Sequence, residues 1–183
     1  MPHQIARRRP KPAGPRLCFR LGWLLAGVSI MLLISPKPAA AVTLAELRAD
    51  RNLTPERFIK YFADFKFALG RDVRAPEAFL ASQSGDCDDF ATLAADVLRD
   101  KGYSTRLVVV YMPNDVHVVC YVAETHSYLD YNCRKQASPL VKCEGALEAI
   151  AARVAESFRA QWRSVSEFTF RNGARYFVST VFH

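Results

Sequence analysis

The sequence predicts an α+β domain, with helices first and an antiparallel sheet after them. Three observations point there. Apolar residues recur at helical spacing as far as Asp100, β-branched runs begin after Gly102, and Asn172-Gly173 separates two late apolar runs. Asn-Gly between apolar runs is the strongest short hairpin signal, and helical and strand segments segregated along a chain define the α+β class.

Each element has its own signal. Thr43–Asp50 reads as a short helix. Thr54-Pro55-Glu56 opens a stronger one, with Thr as N-cap, Pro at the first helical position and an acid in the first turn. Phe58, Phe62 and Phe65 recur at spacings of four and three, a core stripe, and Gly70 is the expected stop. Ala75–Ser82 is a further short helix, followed by a turn at Ser84-Gly85-Asp86. A helix then runs from near Cys87 to about Asp100, burying Phe90, Leu93, Ala94, Val97 and Leu98. Thr105–Met112 and Val116–Ala123 read as strands around a Pro113-Asn114-Asp115 turn, so they should pair antiparallel. Tyr128–Tyr131 is a short third strand and Glu144–Phe158 a helix. Ser166–Arg171 and Arg175–Phe182 form the hairpin around Asn172-Gly173.

The first forty residues read differently. Met1–Arg20 is basic and Pro-rich, Leu21–Ile34 is uncharged, and Pro36, Pro38 and Ala39-Ala40-Ala41 follow. A basic start, a short apolar run and small residues at its end make a secretory signal peptide over residues 1–41. The alternative is an uncleaved anchor, the only route by which this chain would hold to a membrane. The apolar run falls short of the ~20 residues a spanning helix needs. Residues 42–183 are then one domain in the periplasm or the extracellular space.

That division explains the charge. The chain of 183 residues has a net charge of +7, yet seven of its 25 Lys and Arg lie before Ala41, where no acid lies. Eighteen basic residues then face 18 acidic ones from Val42 onward. A neutral domain needs no nucleic-acid partner. Half of the residues are hydrophobic and 23% are charged, a globular balance.

Gly85-Asp86-Cys87-Asp88-Asp89-Phe90 places a cysteine where a turn becomes a helix. Free N–H groups and the positive end of the helix dipole favour a thiolate there, and the same N–H groups could hold an oxyanion. Asp88 and Asp89 oppose the thiolate, so a neighbouring base is needed. His117 on the second strand would accept the Cys87 proton, and Asp130 on the third would orient the ring. His126 competes for the role of base but sits in a turn. Asp86 and Asp89 also suit helix capping.

These residues resemble the transglutaminase-like superfamily, and within it the bacterial transglutaminase-like cysteine proteinases. The likeness rests on Gly-Asp-Cys-Asp-Asp-Phe-Ala opening a helix, then Val116-His117-Val118-Val119, then Tyr128-Leu129-Asp130-Tyr131. It implies a papain-like core, one central helix packed on an antiparallel sheet. It implies thiol chemistry on amide carbonyls, with a peptide or protein as substrate: hydrolysis in the proteinases, transfer to an amine in true transglutaminases. Some periplasmic relatives bind calcium beside the Cys motif, and Asp86, Asp88 and Asp89 are the matching acids; no other cofactor is implied. The Cys–His and His–Asp intervals are short for the family. Small loops keep a non-catalytic binding module as an alternative, and Gln83 is the one candidate for an oxyanion side chain.

Of the remaining cysteines, Cys120 is an odd number of residues from His117 and so faces the opposite side of its strand, toward the core. Cys133 and Cys143 could pair in an oxidising compartment, although sequence does not fix pairing. No Cys/His spacing resembles a zinc site.

Overall fold

The computed structural model describes residues 41–171 and 174–183. The segment expected to be a signal peptide, save Ala41, and the Asn172-Gly173 pair expected to be a hairpin turn lie outside the described residues. Among the described residues no helix is long and apolar enough to cross a membrane.

Local chemistry sets the first helices. Thr43 caps α1 (Leu44–Ala49) in a reciprocal box, its hydroxyl accepting the Glu46 N–H while Glu46 accepts from Thr43 N–H. Thr54 caps α2 (Pro55–Lys60), with Pro55 opening the helix. The helix ends ten residues before the expected stop at Gly70. Beyond it, N–H groups of Tyr61, Phe62, Ala63 and Phe65 reach back three residues, in successive tight turns. A spacing of three keeps Phe62 and Phe65 on the buried side without an α-helix. The chain then enters β1 (Lys66–Phe67), which pairs in parallel with β2 (Ser84–Gly85), a pairing where the sequence suggested only a turn. Between them lies α3 (Pro76–Ser82), closed by Gln83 in the left-handed region at φ 49°.

The central helix α4 (Cys87–Asp100) has its expected bounds. Gly102 follows at φ +88°, a conformation that favours glycine. Phe90, Leu93, Val97 and Leu98 are buried along one side of α4. Each contributes about 1.5–3 kcal/mol of transfer free energy.

Six strands make the main sheet: β3 (Thr105–Tyr111), β4 (Val116–Val122), β5 (Ser127–Leu129), β6 (Leu140–Lys142), β7 (Ser164–Arg171) and β8 (Ala174–Phe182). Their order is β6-β5-β4-β3-β7-β8, every pair antiparallel. Side-chain alternation divides β3 and β4 between two cores. Leu107, Val109, Val118, Cys120 and Val122 face α4 and the aromatic cluster of α2 and α3. Val108, Val110, Val119 and Tyr121 face the second layer, α5 (Leu147–Ser157). With helices on both faces, the sheet's central strands read as unbroken apolar runs.

The architecture is the α+β one expected, with corrections. β6 was not foreseen: it is three residues long and has no alternation to announce it. The third strand stops at Leu129, so Asp130 and Tyr131 lie just past it, in a tight turn over Tyr131–Cys133. Asp130 was expected on a strand with one buried side; both sides are covered, and it is 1% exposed.

Candidate active site

Cys87 is the first residue of α4, half-buried, with its side chain against the α4 core. The residues around it fix the start of that helix. Asp86 is the N-cap, its Oδ1 accepting from Asp88 N–H at 3.1 Å and Asp89 N–H at 3.3 Å, while Asp89 Oδ2 accepts from Asp86 N–H at 3.2 Å. The Cys87 N–H is not among the groups that Asp86 caps. Gly85 must be glycine: an added Cβ would lie 2.5 Å from Asp89 Oδ2 and 2.6 Å from the Phe79 ring. Gly85→Ala is therefore expected to cost about 1–3 kcal/mol by overpacking. A denaturation midpoint equal to that of the parent chain would show that Asp89 and Phe79 yield freely.

His117 is the second residue of β4, 3% exposed. By alternation it lies on the α5 side of the sheet, and Phe158, just past the end of α5, sets its ring 5.0 Å from the imidazole. Asp130 shares that side, in the wall that includes Tyr128 and Arg153. Its Oδ1 lies 2.9 Å from His117 Nε2 and accepts the Asn132 N–H at 2.8 Å. The turn that carries it is pinned from below. Tyr131 hydroxyl donates to Lys66 carbonyl at 2.9 Å, and Arg134, stacked on the Tyr131 ring, donates to Phe65 carbonyl at 2.7 Å.

The Cys87 thiol lies on the other flank of the ring, close enough to act on its charge. Asp130 occupies Nε2, so Nδ1 is the nitrogen left for sulfur. Cys87 comes from the α4 side and His117 from the α5 side; they meet where the helix and the strand both begin. Cys87, His117 and Asp130, singled out from sequence, are thus brought together. His126 is exposed, in the left-handed region at φ 45°. Gln83 bonds through its backbone, its carbonyl accepting from Lys66 N–H and its N–H donating to Leu80 carbonyl. Nothing brings its side chain to Cys87.

Burial is the largest influence on the His117 charge and opposes it. The hydrogen bond with Asp130, and the influence of Asp130 and Cys87 beside the ring, outweigh burial and carry the ring's pKa up to about 10. The ring is expected to keep its proton through neutral pH, which a nitrogen-detected NMR titration measures. An inflection near the unperturbed value of ~6.5 would contradict it. Taken alone, this group's contribution to stability is full below pH ~6.5 and fades as pH rises toward about 10, because the folded chain holds a proton that the unfolded chain has released.

The acids beside Cys87 are engaged. Asp86 Oδ2 accepts from Gly70 N–H at 2.8 Å, and Asp89 Oδ1 accepts from Arg74 N–H at 2.7 Å. Asp89 Oδ2 has the Arg74 guanidinium 3.7 Å away, and Asp88 Oδ2 accepts from Arg175 of β8 at 2.8 Å. Burial pushes the Asp89 carboxyl up. Asp88 and Arg175 also line a cavity of about 600 Å³ with Arg71, Asp72 and Phe170. Sequence reasoning missed Arg74, Arg175 and the placement of Phe158. Cys120 is buried and its thiol pushed up to about 12 by burial; Cys133 and Cys143 are free thiols, Cys133 buried.

A helix-borne thiol beside a strand-borne histidine and an aspartate, on an antiparallel sheet, defines the papain-like class of thiol site. The family model of the transglutaminase-like superfamily matches residues 56–177, and the chain belongs to that superfamily. Among solved structures, calcium-bound LapG of Legionella pneumophila is 17% identical, with a TM-score of 0.46 over 72% of this chain and 74% of that one. EGTA-treated LapG is 18% identical, with a TM-score of 0.45 over 72% of each chain. A candidate cysteine protease from Cytophaga hutchinsonii is 15% identical, with a TM-score of 0.38 over 80% of this chain and 53% of that one. No curated protein sequence matches.

Proposed function

We propose that the chain is an exported thiol hydrolase acting on a peptide or other amide bond. The observation that carries this reading is the grouping of Cys87, His117 and Asp130, with His117 hydrogen-bonded to Asp130 and the thiol close enough to act on the imidazole charge. A cation beside a thiol favours the thiolate. A histidine that keeps its proton at neutral pH is therefore the positive partner of sulfur rather than a waiting base. Asp130 fixes the ring and shares its charge.

The cycle follows from these positions. Cys87 Sγ attacks the carbonyl carbon, and the C=O pair moves onto oxygen, where the Cys87 N–H at the helix mouth can hold it. The tetrahedral species collapses, the C–N bond breaks, and the leaving amine takes the proton from His117. Water then attacks the thioester carbonyl and gives a proton to the now neutral imidazole. The C–S bond breaks, releasing the acid and restoring the thiolate with its imidazolium. If an amine takes the place of that water, the product is a new amide.

The test is cleavage of a mixed peptide library, read by mass spectrometry, with and without an added primary amine. Cys87→Ala is expected to abolish product while keeping the fold. Full cleavage by that variant would overturn the assignment. Amine-linked products in place of free acids would move the reading to acyl transfer.

A further inference from the structure

We infer that Arg74 and Arg175 take the part of a divalent cation at the mouth of α4, so that this chain orders and balances the acids around Cys87 without calcium. Three carboxylates within four residues call for positive charge. The family resemblance offers calcium for that purpose, with Asp86, Asp88 and Asp89 as the matching acids. Calcium takes 6–8 oxygens at 2.3–2.6 Å, and the oxygens here are already committed. Both oxygens of Asp86 and both of Asp89 hold backbone N–H groups, at distances of 2.7–3.3 Å. Turning them toward a metal would break the capping box of α4 and release the Gly70 and Arg74 N–H groups.

The guanidinium groups sit where the cation would be needed. Arg74 faces Asp89, whose side chain is 0% exposed, and also donates to the carbonyls of Ser84 and Ala68, tying β1 and β2 to the helix start. Arg175 reaches from β8 to Asp88, the residue after Cys87, and its guanidinium lies 4.5 Å from the centre of the Phe168 ring. That stacking holds the side chain extended toward the helix, as a planar guanidinium does better than an ammonium. Left unpaired, the Asp88 carboxylate would repel the thiolate beside it. Arg175 is thus a positioning residue, acting on Cys87 through Asp88.

The experiment uses the full chain in calcium chloride and in EGTA. It reads the melting curve and the alkylation rate of Cys87 by iodoacetamide, followed on the Cys87 peptide by mass spectrometry. Coincident melting curves and equal rates are expected in the two buffers. Arg175→Gln should slow alkylation several-fold, Arg175→Lys should recover part of the loss, and Asp88→Asn added to Arg175→Gln should recover most of it. A wild-type melting temperature or rate raised by calcium would overturn the proposal, as would an Arg175→Gln chain that alkylates like wild type. Should Arg175→Gln fail to fold, Asp88→Asn alone decides: its alkylation should be no slower than wild type, and a slower rate would refute the charge argument. The alkylation arm rests on Cys87 being the nucleophile. If that reading failed, alkylation would be slow in every variant, while the calcium comparison of melting curves would still stand.

Discussion

Replacing His117 by alanine is expected to lower amide turnover by about 10²–10⁴-fold, the usual worth of a positioned proton-transfer group. Two losses combine in this variant. Sulfur loses the neighbouring imidazolium, and the leaving amine loses its proton donor. The first loss has its own signature. The pH profile of Cys87 alkylation should differ between the two chains, with His117→Ala the slower at neutral pH. Identical profiles would mean that the imidazole does not act on the thiol, and a binding role for the fold would then lead. Asp130 is left buried and 1% exposed with only the Asn132 N–H on Oδ1, so the variant is also expected to lose stability.

Phe62→Ala should have the largest effect on stability, about 3–5 kcal/mol. The ring is fully buried, with Phe58, Phe65, Phe79 and Phe90 centred 4.8–5.7 Å away. Domains of this kind carry about 5–15 kcal/mol in total, so much of the margin rests on one side chain. Chemical denaturation measures it. A loss below about 1 kcal/mol would mean that the four neighbouring rings close the gap, against the rule that interiors relax only in part.

The readability of this chain divides by the range of its interactions. The start of α4 is local: a cap, an acidic first turn and an apolar stripe all lie within one stretch, and its bounds were foreseen. The β3–β4 hairpin is nearly as local, with seven paired residues around a short turn. The length of α2 was overread, because a spacing of three is common to α-helices and to successive tight turns. β6 was missed because what makes it a strand is β5, eleven or more residues earlier. Asp130 was placed near His117 on sound grounds, yet its side chain is set by a turn that Arg134 and Tyr131 anchor to a segment 65–69 residues away. Arg175 lies 87 residues from Asp88, and no pattern in the sequence joins them. Phe158 read as the last residue of a helix, and only the folded chain shows a histidine beside it.

On the proposed function, the two cores set when this protein becomes chemically active. Cys87 belongs to the layer under α4, while His117 and Asp130 belong to the layer under α5. Neither layer holds a working set alone. A nascent or partly denatured chain carries an ordinary thiol, inert toward amides, and so poses no hazard to its neighbours. Reactivity arrives only when both sides of the sheet have closed. The speed of Cys87 labelling would therefore be a direct gauge of finished molecules in any preparation, independent of knowing the substrate.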